Sequence, residues 1–364
     1  MNYSKWLKIT ISLAGIFLLV VVTVNFYIDS YGVRTSLFNP AEFQNSNRIF
    51  CATGMNQHIS ASEQVFSRPQ DFDSFIFGSS RTSVIDPRKM TGGKYFNMSY
   101  AVGLPSEHLA IVKAFLKKGI HIKTVVIGLD ESYFSISPEQ QKNQLITIMH
   151  PYITGDSLIY LFYRYFCRMP KLFEISLEYK RLLRGDQKDK CMTDENGMNI
   201  GWMNKEKTII ASGKPIFAKE EITYRPIAYS SEAINASLNA IDELNFLARK
   251  NNFSLIIFIN PTYRQVYIHN ANGLFTIKEK LAQIIDYYDF SGLNSVTTND
   301  LAFIDENHYR YLVGDMIIKR IFGSGNINIP IDFGVLVTKK NVNKHIQKQK
   351  LEIEKYLAEE ESLQ

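Results

Sequence analysis

Ser74-Phe75-Ile76-Phe77-Gly78-Ser79-Ser80-Arg81 is an apolar run that stops abruptly at glycine, serine and arginine. Such a run reads as a strand buried on both faces, and the residues after it as a sharp turn that holds a hydroxyl clear of its own backbone. Similar runs follow at Tyr95–Asn97, Thr124–Leu129, Ser254–Ile259 and Tyr288–Phe290. Helical spacing lies between and after them. One stripe is Leu109, Val112, Phe115 and Leu116, with an N-cap at Ser106 and a stop at Gly119; a second is Ile234, Leu238, Ile241, Leu244 and Ala248. A third is Leu281, Ile284, Ile285 and Tyr288, and a last is Leu312, Val313, Met316, Ile317 and Ile321. This alternation predicts an α/β fold, a three-layer sandwich with a central parallel sheet and helices on both faces.

Upstream, Ile9 to Ile28 is almost wholly apolar, preceded by Lys5 and Lys8 and followed by Asp29. It is long enough to cross ~30 Å of hydrocarbon. It exceeds the ~7–15-residue apolar core of a cleaved signal peptide, and bulky Asn25-Phe26-Tyr27 offers no small-residue cleavage site. The reading is an uncleaved signal anchor over residues 1–30. The leading lysines place the N-terminus inside and the remainder outside, as a single-pass protein of the cytoplasmic (inner) membrane with a periplasmic domain. Residues 31–70 lack sustained periodicity and read as a juxtamembrane lead-in. Residues 71–330 form the α/β domain, interrupted at about 138–225 by a stretch too long for a βα connection and too apolar for disorder. Its centre, Leu158 to Arg168, mixes aromatics with arginines and leads into Lys171, Lys180, Arg181 and Arg184. That pattern fits a helical cap packed on the sheet with its basic residues in water, or a surface that docks on a membrane partner or the bilayer. Residues 331–364 become rich in lysine and glutamate and read as a solvated helix or a frayed end.

The net charge of +5 and pI near 8.8 suit a surface near anionic lipid or glycan, and do not identify a nucleic-acid binder. There is no zinc spacing and no Walker glycine loop, so no metal or cofactor is implied. His58, His108, His121, His150, His269 and His345 show no ligand spacing. Of Cys51, Cys167 and Cys191, the last two can pair in an oxidising compartment, or all three can remain buried thiols.

Ligands of open parallel sheets bind at the carboxyl ends of the strands. Ser79 and Ser80 end the first strand, Asn97 to Gly103 follow the second, Asp130 ends the third and Asn260-Pro261 the fourth. The late segment Asp305-Glu306-Asn307-His308-Tyr309 falls between the last strand and the last helix, on the same rim. Ser80, His308 and Asp305 therefore make a nucleophile, a general base and its orienting carboxylate, the parts of acyl transfer through a serine ester. Each has a plainer reading: Ser80 capping a turn, Asp305 capping the last helix, His308 on the surface. Arg81 reads as a clamp for substrate carboxylate or phosphate, or as an ion-pair partner within the turn. Asp130, Glu131 and Tyr133 line the cleft or sit in a solvated loop.

These segments resemble the SGNH/GDSL hydrolase-like family. Gly78-x-Ser80 resembles its first block, Asn97-Met98-Ser99-Tyr100-Ala101-Val102-Gly103 its second and Asp305-x-x-His308 its last. Phe-Gly-Ser-Ser-Arg, the strand end Val126-Ile127-Gly128-Leu129-Asp130 and Asp289-Phe290-Ser291-Gly292 are similar to its membrane-anchored extracytoplasmic branch, which includes relatives of alginate O-acetyltransferases and of the protein completing teichoic acid D-alanylation. The resemblance covers roughly 71–130 and 253–322. It implies the SGNH/flavodoxin-like form of the sandwich, with Ser80 as nucleophile, His308 as base, Asp305 as orienter, and the Ser80 and Gly103 amides stabilising the oxyanion. From their places on the rim, Arg81, Asn97, Asp130 and Tyr133 are candidate substrate contacts. Two positions depart from the pattern: Ser79 stands where Asp is usual, and Asp130-Glu131 stands where the family has an Asn that donates to the oxyanion.

The expectation is thus a serine O-acyltransferase or esterase anchored in the membrane. It would act on acyl groups, acetyl foremost, of a cell-envelope or exported polysaccharide, beside a multispanning acyltransferase partner. The rival readings are a catalytically inactive glycan-binding or assembly subunit and a lipid-active esterase with the aromatic insertion as its lid.

Overall fold

The computed structural model describes residues 3–39, 55–141, 144–184, 193–217 and 227–362. In chain order the main elements are α1 (Tyr3–Ile28), α2 (Gln57–Ser67), β1 (Ser74–Phe77), β2 (Tyr95–Asn97), α3 (Pro105–Lys117), β3 (Thr124–Leu129), α4 (Leu158–Phe166) and α5 (Leu172–Arg184). There follow α6 (Met203–Ser212), α7 (Ser231–Asn251), β4 (Ser254–Ile259), α8 (Arg264–Leu281), β5 (Tyr287–Asp289), α9 (Tyr311–Phe322), β6 (Val335–Val337) and α10 (Val342–Ser362). They divide into two compact units, residues 1–64 with 142–195, and residues 65–141 with 196–364.

The larger unit is a mixed α/β structure. Among the described residues six strands form one sheet in the order β2-β1-β3-β4-β5-β6, the first five parallel and β6 antiparallel to β5. β1 and β3 are buried along their whole length, which is why they read as unbroken apolar runs. Side chains alternate across β1. Phe75 packs edge-tilted on Phe115 of α3 at 4.9 Å, while Ile76 joins a cluster with Val313 and Ile317 of α9. The register aligns Leu129 with Ile259 and Ile259 with Asp289, so the loops after β3, β4 and β5 leave one edge.

Several elements differ from the sequence expectation. α3 begins at Pro105, whose missing N–H costs nothing at the first helical position. The Glu107 carboxylate, and no side chain of Ser106, accepts from the Leu104 amide at 2.9 Å. The helix expected through Leu281, Ile284, Ile285 and Tyr288 is instead the end of α8, a turn and the start of β5. The true stripe of α8 runs Tyr267, Ala271, Leu274, Lys278, Leu281, all buried. A lysine interrupts it, and so hides it. The tail is a helix exposed over most of its second half, as a solvated helix would be, but its start is built into the fold. β6 extends the sheet, and α10 buries Val342, Ile346 and Gln349. Lys278 Nζ lies 2.7 Å from both Asp289 and Gln349 Oε1, and His345 Nε2 lies 2.7 Å from Asp289 Oδ2. Burial works against the Asp289 charge, yet Lys278 and His345 hold its carboxyl below the usual carboxylate range.

In the smaller unit α1 is a 26-residue helix long and apolar enough to cross a membrane. This is consistent with a single-pass anchor. The stretch expected as an aperiodic lead-in contains α2. α4 buries Leu161, Tyr165 and Phe166 in a cluster with Val33, Ile59, Ile148 and residues at the end of α1. Asn56 ties the cluster together by donating to the carbonyls of Leu145 and Ile148, each at 2.8 Å. The Cys167–Cys191 pairing involves Cys191, which, like Cys51, lies outside the described residues, as does the expected insertion boundary near Arg225.

Candidate active site

The turn after β1 needs its glycine. A Cβ on Gly78 would collide with Thr82 Oγ1 and come within 3.0 Å of the Gly128 carbonyl. Ser79 is buried and turns inward, its Oγ accepting from the Arg81 amide at 3.0 Å, whereas Ser80 is half-buried. The two adjacent serines are thereby given different surroundings by the same turn. Ser83 Oγ donates to the Ser80 carbonyl at 2.5 Å, closing the turn from behind.

The late loop is a small closed hairpin. Phe303 and Tyr309 bridge antiparallel, and the Ile304 amide donates to the His308 carbonyl at 2.8 Å. Inside it Asp305 Oδ1 accepts from the amides of Asn307 and His308, each at 2.9 Å, and meets His308 Nδ1 at 2.7 Å. The other ring nitrogen, Nε2, meets Ser80 Oγ at 2.8 Å. Burial alone would raise the Asp305 pKa, but the His308 contact and the two amides more than offset it and hold the carboxyl low. An ionised Asp305 fixes the proton on Nδ1, leaving Nε2 free to accept from the serine hydroxyl. α9 begins only at Tyr311, so Asp305 does not cap it.

Gly103 stands against this turn, where a Cβ would lie 2.5 Å from the Gly78 carbonyl. The residue before it, Val102, has φ of 60°, a left-handed conformation rare for a β-branched side chain. Among the described residues no group accepts from the amide of Ser80 or of Gly103. Both are thus available to an oxyanion.

Three of the four candidate substrate contacts, Arg81, Asn97 and Asp130, are bonded within the protein itself. Arg81 and Glu131 form a buried bidentate pair at 2.7 and 2.8 Å, with Asp130 3.7 Å from the same guanidinium. Burial disfavours all three charges. Arg81 nonetheless keeps Glu131 below the usual carboxylate range, while Asp130, farther away, is raised by its burial. Asp130 also accepts from Asn260 Nδ2 at 2.7 Å. Asn97 donates to the carbonyls of Thr82 and Ile85 at 3.1 and 3.0 Å, and Tyr133 is fully buried. Arg81 is therefore the ion-pair partner within the turn, and Asp130 and Glu131 do not form a solvated loop.

One neighbour was not singled out from the sequence. Trp202 stacks tilted on the His308 ring at 4.4 Å between centroids. Its segment is pinned across the turn, since Asn199 donates its amide to the Ser83 carbonyl at 2.8 Å and accepts from Tyr311 Oη at 2.8 Å. Glu206 then grips Arg310 with two bonds of 2.9 Å. The signal available was composition alone, Trp202 being one of two tryptophans in the chain.

Among the described residues no group of three or more His, Cys, Asp or Glu is placed to hold a metal ion. Compared with known proteins, the chain matches no protein-family model and no curated protein sequence.

Proposed function

We propose that this chain is a membrane-anchored, extracytoplasmic serine O-acyltransferase or esterase of the SGNH type, acting on acyl groups, acetyl foremost, of a cell-envelope or exported polysaccharide. The observation that carries the reading is the unbroken line from Ser80 Oγ through His308 to Asp305, with contacts of 2.8 and 2.7 Å assembled from segments 228 residues apart. Those distances fall in the range a general base needs. Ser80 attacks the acyl carbonyl as His308 takes its proton. The tetrahedral oxyanion is held by the amides of Ser80 and Gly103. Collapse expels the donor's leaving group with the proton His308 had taken and leaves an ester on Ser80; a sugar hydroxyl or water, deprotonated by His308, then attacks that ester, and the second collapse releases the acylated product and returns the proton to Ser80. The anchor favours transfer beside a membrane partner, and the sugar substrate rests on the resemblance to polysaccharide-modifying relatives.

A second reading has one specific observation behind it. Asp130-Glu131 occupies the place of the usual Asn donor and is spent on Arg81 and Asn260. An oxyanion donor is worth ~3–4 kcal/mol of barrier, so a site short of one fits an inactive glycan-binding subunit. Labelling of the full-length chain with a fluorophosphonate separates the two. The proposal expects a covalent adduct on Ser80, lost in Ser80→Ala and His308→Ala and retained in Ser79→Ala. An adduct that persists in Ser80→Ala, or none in the wild type, overturns it.

A further inference from the structure

Helix α4 carries apolar residues on two sides, and α5 leaves several apolar side chains exposed. Inwardly Leu161, Tyr165 and Phe166 are buried in the smaller unit. Outwardly Ile159, Tyr163, Leu172, Phe173, Tyr179 and Leu183 are 62–85% exposed. Ile159 and Tyr163 lie at i, i+4 on α4, and Leu172, Tyr179 and Leu183 at i, i+7, i+11 on α5, so each set lies on one side of its helix. Three aromatic rings of that exposure offer roughly 300–500 Å² on their own. Apolar patches on monomers surrounded by water seldom exceed a few hundred Å².

What covers the patch follows from where α4 is attached. Asn25, within the last turn of α1, donates from Nδ2 to the carbonyls of Phe166 at 3.0 Å and Arg168 at 2.6 Å. Phe26 packs on Phe166 and Phe162 at 5.1 and 6.4 Å. If the apolar run of α1 ends at Ile28, Asn25 lies only ~4.5 Å before its end at 1.5 Å per residue. The C-terminus of α4 is therefore docked within one helical turn of the hydrocarbon boundary, the depth at which tyrosine and tryptophan concentrate. Arg164 bonds Tyr160 Oη at 2.7 Å, Arg168 pairs with Glu174 at 2.6 Å, and Lys171 is exposed between the two helices. Such residues can reach headgroups while the apolar stripe stays below them. An amide inside an apolar spanning helix is costly unless bonded, and Asn25 spends its donors on this junction.

We propose that α4 and α5 lie in the bilayer interface as a second, non-spanning membrane contact, with Ile159, Tyr163, Leu172 and Phe173 immersed at the headgroup and acyl boundary. The inference rests on the anchored reading of α1 and is independent of any chemistry at Ser80. The test uses the full-length chain with its native cysteines replaced by serine, reconstituted in vesicles of phosphatidylethanolamine and phosphatidylglycerol. Single cysteines at Ile159→Cys, Tyr163→Cys and Leu172→Cys carry an environment-sensitive fluorophore, with Leu13→Cys in α1 and exposed Glu232→Cys in α7 as references. The expected result is emission blue-shifted from the Glu232→Cys reference at all three positions, quenched several-fold by lipids carrying a shallow spin label. Leu13→Cys is quenched by a deep label. If Leu13→Cys is deep and the three match Glu232→Cys, the inference is overturned while the anchor stands. If Leu13→Cys also matches Glu232→Cys, the anchor fails and takes the inference with it. Shielding found in native membranes but absent from pure lipid vesicles assigns the patch to a protein partner, and equally overturns the lipid contact.

Discussion

Replacing Glu131 with glutamine tests the claim that a buried ion pair, and no substrate, is what Arg81 serves. Glu131 gives Arg81 two bonds of 2.7 and 2.8 Å where both side chains are nearly excluded from water. Without the carboxylate the guanidinium keeps only Asp130 at 3.7 Å and Thr262 Oγ1 at 3.4 Å. Removing one partner of a buried pair costs ~3–5 kcal/mol, and the amide oxygen of glutamine can retain one bond worth ~1 kcal/mol. The expected loss is therefore about 3 kcal/mol, roughly 6–12 °C in Tm for a folding unit of this size. Because the Glu131 pKa is depressed in the fold, its contribution is present above the unfolded carboxylate pKa and fades as pH falls through the folded value. Glu131→Gln should accordingly flatten the acid limb of stability. Denaturant melts of the detergent-solubilised chain measure both effects, and fluorophosphonate labelling run in parallel reports on the turn. The double variant Arg81→Met/Glu131→Leu should regain most of the stability and still label Ser80 more slowly, since Arg81 follows Ser80 directly. A Glu131→Gln chain within about 0.5 kcal/mol of wild type would refute the reasoning, for that is the range of substitutions at ordinary surface positions.

Asp305→Asn should leave the loop folded, because its Oδ1 can still accept from the amides of Asn307 and His308, yet slow Ser80 labelling by ~10³–10⁴-fold; a loss under about tenfold would remove Asp305 from the relay. Glu107 is raised by burial to about 7, so the fold holds its proton more tightly than the unfolded chain and stability falls as pH rises from the unfolded value through about 7. Glu107→Gln should remove that decline, a gain of about 2 kcal/mol at pH 8 after allowance for partial exposure, visible as a flatter Tm against pH between 5 and 8. Lys278→Met strands Asp289 beside His345 and should cost about 3 kcal/mol, with α10 released first in hydrogen exchange.

Legibility in the sequence followed the physics of burial. β1, β3 and β4 announced themselves because central parallel strands need long apolar runs, and the juxtaposition of Ser80 with His308 followed from strand ends sharing one edge. α8 escaped because Lys278 breaks its stripe, and a lysine is tolerated there through Asp289 and Gln349, partners that no local window contains. β6 is three residues long and next to a charge-rich stretch, too short for periodicity to register. Arg81, Asp130 and Glu131 look like exposed charges one at a time, and their mutual burial is a tertiary fact. Trp202 reaches His308 from a segment with no apolar period of its own.

The separation between Ser80 and His308 has a consequence for the order of events in the life of the chain. The serine is synthesised while the histidine, 228 residues behind, has yet to be made. The hydroxyl therefore spends that interval without the ring that meets it in the folded chain. Under the proposed chemistry, reactivity switches on only when β5 has joined the sheet and the Asp305 hairpin has closed, so a chain truncated before His308 is silent however well its first strands have paired.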